Sequence, residues 1–259
     1  MAQDIRPLYH SPATGVVITG GASGLGLASA RALAAVGRPV AIWDIHAGRA
    51  ADSAAAVSAE SGTLCIGLGV DVRDPAAIIE AAAQTRAALP SIGGLVHCAG
   101  IVDTASLDGI TVQSWDDGMN IHLRPIVLLL QAFLEDMKRV PGSAMVATAS
   151  INATLGNAVN PIYTAAKGGV LSLVRSLADR LAQDGIRINS ISPGQIMTPM
   201  MQPSVSALPE GHFEKRILLN RIGEPEEIGR VIRFLLSDEA SYITASEIVV
   251  DGGNISSQR

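Results

Sequence analysis

The chain has 259 residues, a formal net charge of −5 and a mean hydropathy of +0.33. Its hydrophobic content of 48% excludes intrinsic disorder, and no apolar run reaches the roughly 18 residues that span a bilayer. The 19 Lys and Arg residues are scattered without a run, which argues against nucleic acid as a partner.

The first 13 residues predict a short N-terminal tail. They lack the basic start and following apolar stretch of a secretory signal. The two cysteines, Cys65 and Cys98, have neither CxxC spacing nor an accompanying His cluster, so we predict no metal site and no disulfide scaffold. We therefore expect a protein of the reducing cytoplasm with no membrane partner.

After the tail, short β-branched runs alternate with long alanine-rich stretches whose apolar residues recur every three or four positions. This alternation predicts βα units, and strands that are apolar almost throughout indicate a parallel sheet covered on both faces. The sequence therefore predicts one doubly wound α/β domain with seven strands. The predicted strands cover residues 16–19, 39–43, 63–70, 95–98, 143–148, 186–191 and 247–250. The predicted helices cover residues 24–36, 47–61, 75–88, 112–139, 162–183 and 225–236.

The first predicted strand runs directly into the stretch TGGASGLG. Gly20, Gly24 and Gly26 lie at the strand-to-helix junction, where glycines permit a tight turn, the approach of a ligand and close helix packing. The exposed amides at the helix start favour an anion such as a pyrophosphate. The alternative is a tight turn that binds no ligand.

Asp44 closes the second predicted strand, where a dinucleotide-binding unit places an acid on the ribose hydroxyls. A carboxylate about 4 Å from an added 2′-phosphate is repelled by roughly 4 kcal/mol per unit of charge at an effective dielectric of about 20. No Arg or Lys lies within the glycine turn or directly after Asp44 to offset this repulsion, so the sequence favours NAD over NADP. The alternative role of Asp44 is that of a helix N-cap.

Two later features belong to the same predicted sheet edge. Asp71 and Gly100 follow the third and fourth predicted strands, where parallel strands meet a cofactor crevice, although each alone also fits a turn. The stretch 195–220 is too long for an ordinary connection and holds Met197, Met200 and Met201. Such a length predicts a lid over a site.

The stretch PIYTAAKGG carries the candidate chemistry. Tyr163 and Lys167 are four residues apart and would lie on one face of a helix. An ammonium about 5 Å away would stabilise a phenolate by roughly 3 kcal/mol at an effective dielectric of about 20, which brings tyrosine into the range of a general acid/base. Ser150, thirteen residues earlier, could hold the substrate oxygen. The alternative is an incidental pair at a helix start.

Taken in order, TGGASGLG, Ser150 with YTAAK, INSISPGQIMTPM and ASEIVVDGG resemble the short-chain dehydrogenase/reductase family over nearly the whole chain. The resemblance implies a single Rossmann-like domain and an NAD-dependent oxidoreductase. Such an enzyme interconverts a secondary alcohol (a polyol, an alicyclic alcohol or a hydroxy ketone) and its carbonyl. The resemblance also implies a small-molecule substrate and a homotetramer.

The resemblance implies a role for each matching residue. Tyr163 would be the general acid/base, Lys167 would lower its pKa and bind the nicotinamide ribose, and Ser150 would bind the substrate oxygen. Asn120 would hold a water that links Lys167 to solvent; from its surroundings alone it reads as a helix-interior polar residue. The full predicted cofactor set is Gly20, Ser23, Gly24, Leu25, Gly26, Asp44, Asp71, Val72, Cys98, Ala99, Gly100, Tyr163, Lys167, Pro193, Gly194, Ile196 and Thr198. The predicted substrate-lining set is Asn152, Leu155, Asn157, Gln195, Met200 and Met201.

The chain departs from the family pattern after the fourth predicted strand, where His97 and Cys98 replace two asparagines. We interpret His97 as a packed or hydrogen-bonded residue rather than an extra acid. We interpret Cys98 as a tolerated small thiol rather than a reactive one. Ala245, where the family often has glycine, is expected to have little consequence.

Two other functions fit the fold. A dinucleotide-binding regulator or scaffold would keep the fold without turnover, but the presence of Tyr163 and Lys167 argues against it. An epimerase or dehydratase would need a larger C-terminal substrate region than this chain has room for.

Overall fold

The computed structural model describes residues 12–258, so the predicted tail, except for residues 12 and 13, lies outside the described part of the chain. Its strands are β1 (Gly15–Thr19), β2 (Val40–Asp44), β3 (Cys65–Gly69), β4 (Ile92–His97), β5 (Ala144–Thr148), β6 (Arg187–Pro193) and β7 (Glu247–Val250). Its helices are α1 (Gly24–Ala34), α2 (Ala47–Ser61), α3 (Pro75–Ala88), α4 (Val112–His122), α5 (Arg124–Lys138), α6 (Asn152–Leu155), α7 (Pro161–Ala182), α8 (Gln202–Ala207) and α9 (Pro225–Leu235).

The seven strands form one parallel sheet in the order β3-β2-β1-β4-β5-β6-β7. This arrangement confirms the predicted doubly wound α/β fold. After β3 the chain crosses back over the sheet and adds β4 on the other side of β1. A crevice therefore opens at the carboxyl ends of β1 and β4, which is where open α/β sheets bind their ligands.

Alternate residues of the strands belong to two hydrophobic cores, one on each face of the sheet. Val17 of β1 belongs to one core, and Val16 and Ile18 belong to the other. This is the period of a strand that is buried on both faces. Trp43 is the largest buried side chain; its indole nitrogen donates to Thr85 Oγ1 at 3.1 Å, and its ring lies 5.8 Å from that of Phe133.

The prediction of one helix over residues 112–139 is wrong, because the structure has two helices that meet at Leu123. Pro125, in the first turn of α5, has no amide hydrogen and cannot donate to the Ile121 carbonyl four residues earlier. That carbonyl is taken instead by His97 Nε2 at 3.0 Å. The break therefore turns a backbone oxygen of α4 towards the carboxyl end of β4.

The segment 195–220, predicted as a lid, contains the short helix α8 and a 3₁₀ turn at Glu214–Arg216. It is clamped at its base by a parallel bridge between Ile196 and Gly223, where Met197 N donates to Gly223 O at 2.8 Å. The sequence pattern also missed the short helix α6. No helix in the described part of the chain has both the length and the apolar character needed to cross a membrane.

Candidate active site

A cavity of about 490 Å³ opens at the carboxyl edge of the sheet. All of the predicted cofactor residues line it, as do Ser150 and every predicted substrate-lining residue except Leu155. Leu155, in α6, is 54% exposed. Asn120 is half-buried on α4 and does not line the cavity, whereas the next residue, Ile121, does.

The glycine turn between β1 and α1 forms one end of the cavity. Gly20 has φ +64°, and a Cβ there would lie 2.7 Å from Ala99 N. A Cβ at Gly26 would lie 2.2 Å from Gly20 O, so a larger residue at either position requires the backbone to move. The Ser23 side chain does not cap α1, and the first turn of α1 carries no acid. These features fit the pyrophosphate of a dinucleotide.

Asp44 ends β2 at the rim of the same cavity. Its carboxylate accepts from Ala22 N at 3.3 Å and His46 N at 3.1 Å. His46, not Asp44, is the N-cap residue of α2, so the alternative role of Asp44 as the N-cap is wrong. The sequence analysis missed Arg49, an exposed residue in the first turn of α2 that also lines the cavity. Arg49 lies five residues after Asp44, so a search of the residues directly after Asp44 does not detect it.

Tyr163 and Lys167 lie on the wall formed by the first two turns of α7. The Lys167 ammonium lies 5.4 Å from the centre of the Tyr163 ring and donates to the Thr148 carbonyl at 2.6 Å. Lys167 is buried, with 3% of its surface exposed. Ser150, just after β5, accepts from Asn152 N at 3.1 Å through its hydroxyl oxygen.

Burial disfavours the charged forms of both Tyr163 and Lys167. It lowers the pKa of Lys167 from 10.5 to about 8, while the neighbouring Cys98 acts in the opposite direction. It raises the pKa of the Tyr163 phenol above 10, while a hydrogen bond with Ser150 acts to lower it. In the chain alone, burial thus outweighs the reduction of the Tyr163 pKa that the sequence spacing predicts. Further positive charge in the cavity would favour a phenolate at this position.

The charge of Lys167 acts on both His97 and Cys98. His97 is fully buried; its Nδ1 lies 2.7 Å from Thr19 Oγ1, and its Nε2 faces the Ile121 carbonyl. Burial, reinforced by the Lys167 charge, lowers the pKa of His97 to about 3, so the ring is neutral at pH 7 and donates from Nε2. His97 is therefore the hydrogen-bonded residue expected from the sequence.

The Cys98 sulfur lies 3.3 Å from Thr148 Oγ1. Burial raises the pKa of this thiol, while the bond to Thr148 acts to lower it. The thiolate is the reactive form of cysteine, so this shift disfavours a nucleophilic role for Cys98.

His122 also lines the cavity, and no sequence pattern pointed to it. Its ring is buried and stands perpendicular to the Tyr163 ring, with centres 5.3 Å apart. Its Nε2 lies 2.7 Å from the Ile101 carbonyl. The ring contacts Tyr163 from the end of α4, so this contact depends on the helix break at Leu123.

The chain is similar to several known proteins. A family model described as enoyl-(acyl carrier protein) reductase matches residues 20–254. Levodione reductase of Leifsonia aquatica is 36% identical over 247 residues, which cover 92% of each chain. A probable galactose dehydrogenase of Rhizobium meliloti (strain 1021) is 33% identical over 245 residues, covering 92% of this chain and 94% of the relative.

Solved structures show the same similarity. The crystal structure of levodione reductase superposes with a TM-score of 0.88 at 35% identity, covering 95% of this chain and 99% of that one. L-sorbose reductase from Gluconobacter frateurii, crystallised with NADPH and L-sorbose, superposes with a TM-score of 0.89 at 25% identity, covering 95% and 98%.

We predict that mild acid destabilises the wild-type chain more than a His97→Gln variant. The pKa of His97 is about 3 in the fold against 6.5 for an ordinary histidine, so unfolding takes up a proton between these values. The free energy of unfolding therefore falls as the pH drops below 6.5, by up to about 2 kcal/mol at pH 5. Glutamine keeps a donor and an acceptor but cannot take up the proton. Urea unfolding of the wild type and His97→Gln at pH 7 and pH 5 measures how much stability each protein loses. Equal losses in the two proteins would contradict the assignment of His97 as a buried neutral residue.

Proposed function

The chain belongs to the short-chain dehydrogenase/reductase family, and we propose that it works with NAD and uses Tyr163 as its general acid/base. It is an enzyme, an oxidoreductase that interconverts a secondary alcohol and its carbonyl with a nicotinamide dinucleotide. The observation that carries the proposal is the placement of Ser150, Tyr163 and Lys167 in the same cavity as the glycine turn. The alternative of a non-catalytic scaffold has no comparable support.

We assign the proton transfer to Tyr163. A bound nicotinamide dinucleotide supplies the hydride acceptor or donor. In the oxidation direction the Tyr163 oxygen takes the hydroxyl proton as the carbon loses its hydride, and in the reverse direction it returns that proton to the carbonyl oxygen. The Ser150 hydroxyl holds the substrate oxygen. Lys167, fixed on the Thr148 carbonyl, provides a positive charge that favours the phenolate.

Asn120 is proposed, from the family pattern alone, to hold a water that links Lys167 to solvent. It lies in the last turn of α4, next to the carbonyl of Ile121 that the helix break frees.

The proposal of NAD rests on Asp44. Its carboxylate stands at the end of β2, where the family binds the adenosine ribose, and it would repel a 2′-phosphate. Arg49 provides a counter-charge within the same cavity, but it is exposed, so its interaction with an added phosphate would be screened by solvent.

The proposed substrate is a neutral polyol, alicyclic alcohol or hydroxy ketone. The charged Asp, Glu, Lys and Arg side chains among the described cavity residues are Asp44, Arg49 and Asp71, which belong to the cofactor half, and Lys167. Uncharged polar and apolar side chains line the other half: Ile101, Val102, Asn152, Asn157, Gln195, Met200, Met201 and Phe213. An anionic group would find no cation to pair with in that half.

Three further properties belong to the proposal. The segment 195–220 acts as a substrate lid, because Met200, Met201 and Phe213 reach into the cavity from it. The enzyme is cytoplasmic, which agrees with two free cysteines. It is a homotetramer: apolar side chains stand exposed on α4 (Val112, 80%; Trp115, 43%) and on β7 (Val249, 39%), and both surfaces could pair with other copies.

We predict that Tyr163→Phe lowers kcat by about 10²- to 10⁴-fold, because the proton transfer is lost, and leaves NADH binding intact. The assay follows the absorbance of reduced nicotinamide with secondary alcohols, polyols and hydroxysteroids, each neutral cyclic alcohol being paired with its carboxylate analogue. Tyr242→Phe is the matched control, because Tyr242 is fully exposed. Wild-type turnover by Tyr163→Phe would refute the acid/base assignment, and preference for the carboxylates would refute the neutral substrate.

We predict that the wild type prefers NAD over NADP by about 10³-fold in kcat/KM and that Asp44→Asn removes most of this preference. The carboxylate charge, rather than the side-chain size, causes the discrimination. Asp52→Asn, at an exposed acid of α2, is the control and leaves the ratio unchanged. A wild type that prefers NADP would contradict the argument from Asp44.

A further inference from the structure

The start of α7 is held by a carboxylate from a distant part of the chain. The N-cap residue Asn160 makes no side-chain cap, and Pro161 has no amide hydrogen. The next two amides both donate to Asp103: Tyr163 N to Oδ1 at 2.8 Å and Ile162 N to Oδ2 at 3.3 Å. Thr164 N then donates to Asn160 O at 2.9 Å. One remote side chain thus satisfies both otherwise unpaired donors of the first turn.

Asp103 lies in the segment 98–111, which follows β4 and contributes residues 98–102 to the cavity wall. Three more hydrogen bonds join this segment to the residues before α7. The Asn160 side-chain amide donates to the Asp103 carbonyl, Ser106 Oγ donates to Ala158 O at 2.8 Å, and Ser106 N donates to Val159 O at 3.3 Å. The Asp103 contacts therefore connect two cavity walls.

We propose that Asp103 is a positioning residue for the acid/base group, an inference that rests on the proposed role of Tyr163. Tyr163 is only the third residue of α7, and helix ends fray when their first amides have no acceptor. Lys167 lies one turn deeper and is fixed independently on Thr148. The separation of the phenol from the ammonium therefore depends on how firmly the first turn is held, and that turn is held by Asp103.

Asp103 also brings a carboxylate to the backbone of the acid/base residue. The titratable groups that contact Tyr163 are Lys167 on its own helix, His122 from α4 and Asp103 from the segment after β4, while His97 and Cys98 lie close to Lys167. Burial keeps the two histidines neutral and the thiol protonated at pH 7. An ammonium at Lys167 favours a phenolate at Tyr163, and a carboxylate at Asp103 opposes it.

The test compares Asp103→Ala and Asp103→Asn with Asp108→Asn. Asp108 is an exposed carboxylate of the same segment that makes no hydrogen bond to any residue between 12 and 258. We expect Asp103→Ala to lower kcat by about ten- to a hundredfold, because a displaced phenol transfers protons poorly, with KM for NAD changed by less than about twofold. Asp103→Asn is expected to lose less, because its carbonyl oxygen still accepts one amide. Asp108→Asn is expected to match the wild type.

Two readouts separate positioning from a general loss of stability. The acidic limb of the kcat pH profile is expected to move to lower pH in Asp103→Asn, because removal of the negative charge favours the phenolate. Hydrogen exchange of the Tyr163 amide is expected to be faster in Asp103→Ala and unchanged in Asp108→Asn. The unfolding temperature of Asp103→Ala is expected to fall by only about 2–4 °C, so that the protein stays folded in the assay.

The inference is overturned if Asp103→Ala keeps the wild-type kcat and pH profile while Tyr163→Phe is inactive. It is also overturned if Asp103→Ala keeps slow exchange at the Tyr163 amide. Turnover by Tyr163→Phe would instead overturn the proposed function, and the exchange measurement would still report whether Asp103 holds the first turn of α7.

Discussion

The buried ammonium of Lys167 is the group on which the rest of the site depends. Burying a lysine is costly, and here one carbonyl, that of Thr148, accepts a short hydrogen bond from it. Its charge also helps to keep His97 and His122 neutral, so both histidines serve as hydrogen-bonding and packing groups. The same charge lies 5.4 Å from the centre of the Tyr163 ring. The fold tolerates the free-energy cost of burying Lys167, and it places the positive charge where it can stabilise a phenolate that forms at Tyr163.

Irregular backbone segments place the residues that surround Lys167 and Tyr163. Pro125 divides α4 from α5 and frees the Ile121 carbonyl, which His97 then occupies from the end of β4. His122, the last residue of α4, can then stand edge-on against Tyr163. Asp103 secures the other side of the tyrosine by accepting the first amides of α7. Departures from regular helix thus supply contacts on both sides of Tyr163.

The sequence was sufficient to predict the features that depend on neighbouring residues. The strand and helix periods, the glycine turn and the tyrosine–lysine spacing are local patterns, and they predicted the sheet and the residues that its carboxyl edge brings together. The break at Leu123 was missed because the apolar spacing continues through it. Asp103 and His122 were missed because their roles depend on contacts between distant segments, Asp103 being 60 residues from Tyr163. The direction of the Tyr163 pKa shift could not be predicted either, because spacing gives the charge of a neighbour but not the depth of burial.

The proposed mechanism depends on positive charge in the cavity, which converts the buried, weakly acidic Tyr163 into a base. The most direct measurement is a pH titration of the Tyr163 phenol by ultraviolet difference absorbance, with Tyr163→Phe as the blank, in the free enzyme and with saturating NAD⁺. The chain has only three tyrosines, so the difference signal can be isolated. We predict a midpoint above 10 in the free enzyme and a lower one in the complex, because the positive nicotinamide favours the phenolate. An equal midpoint in both states would contradict the account.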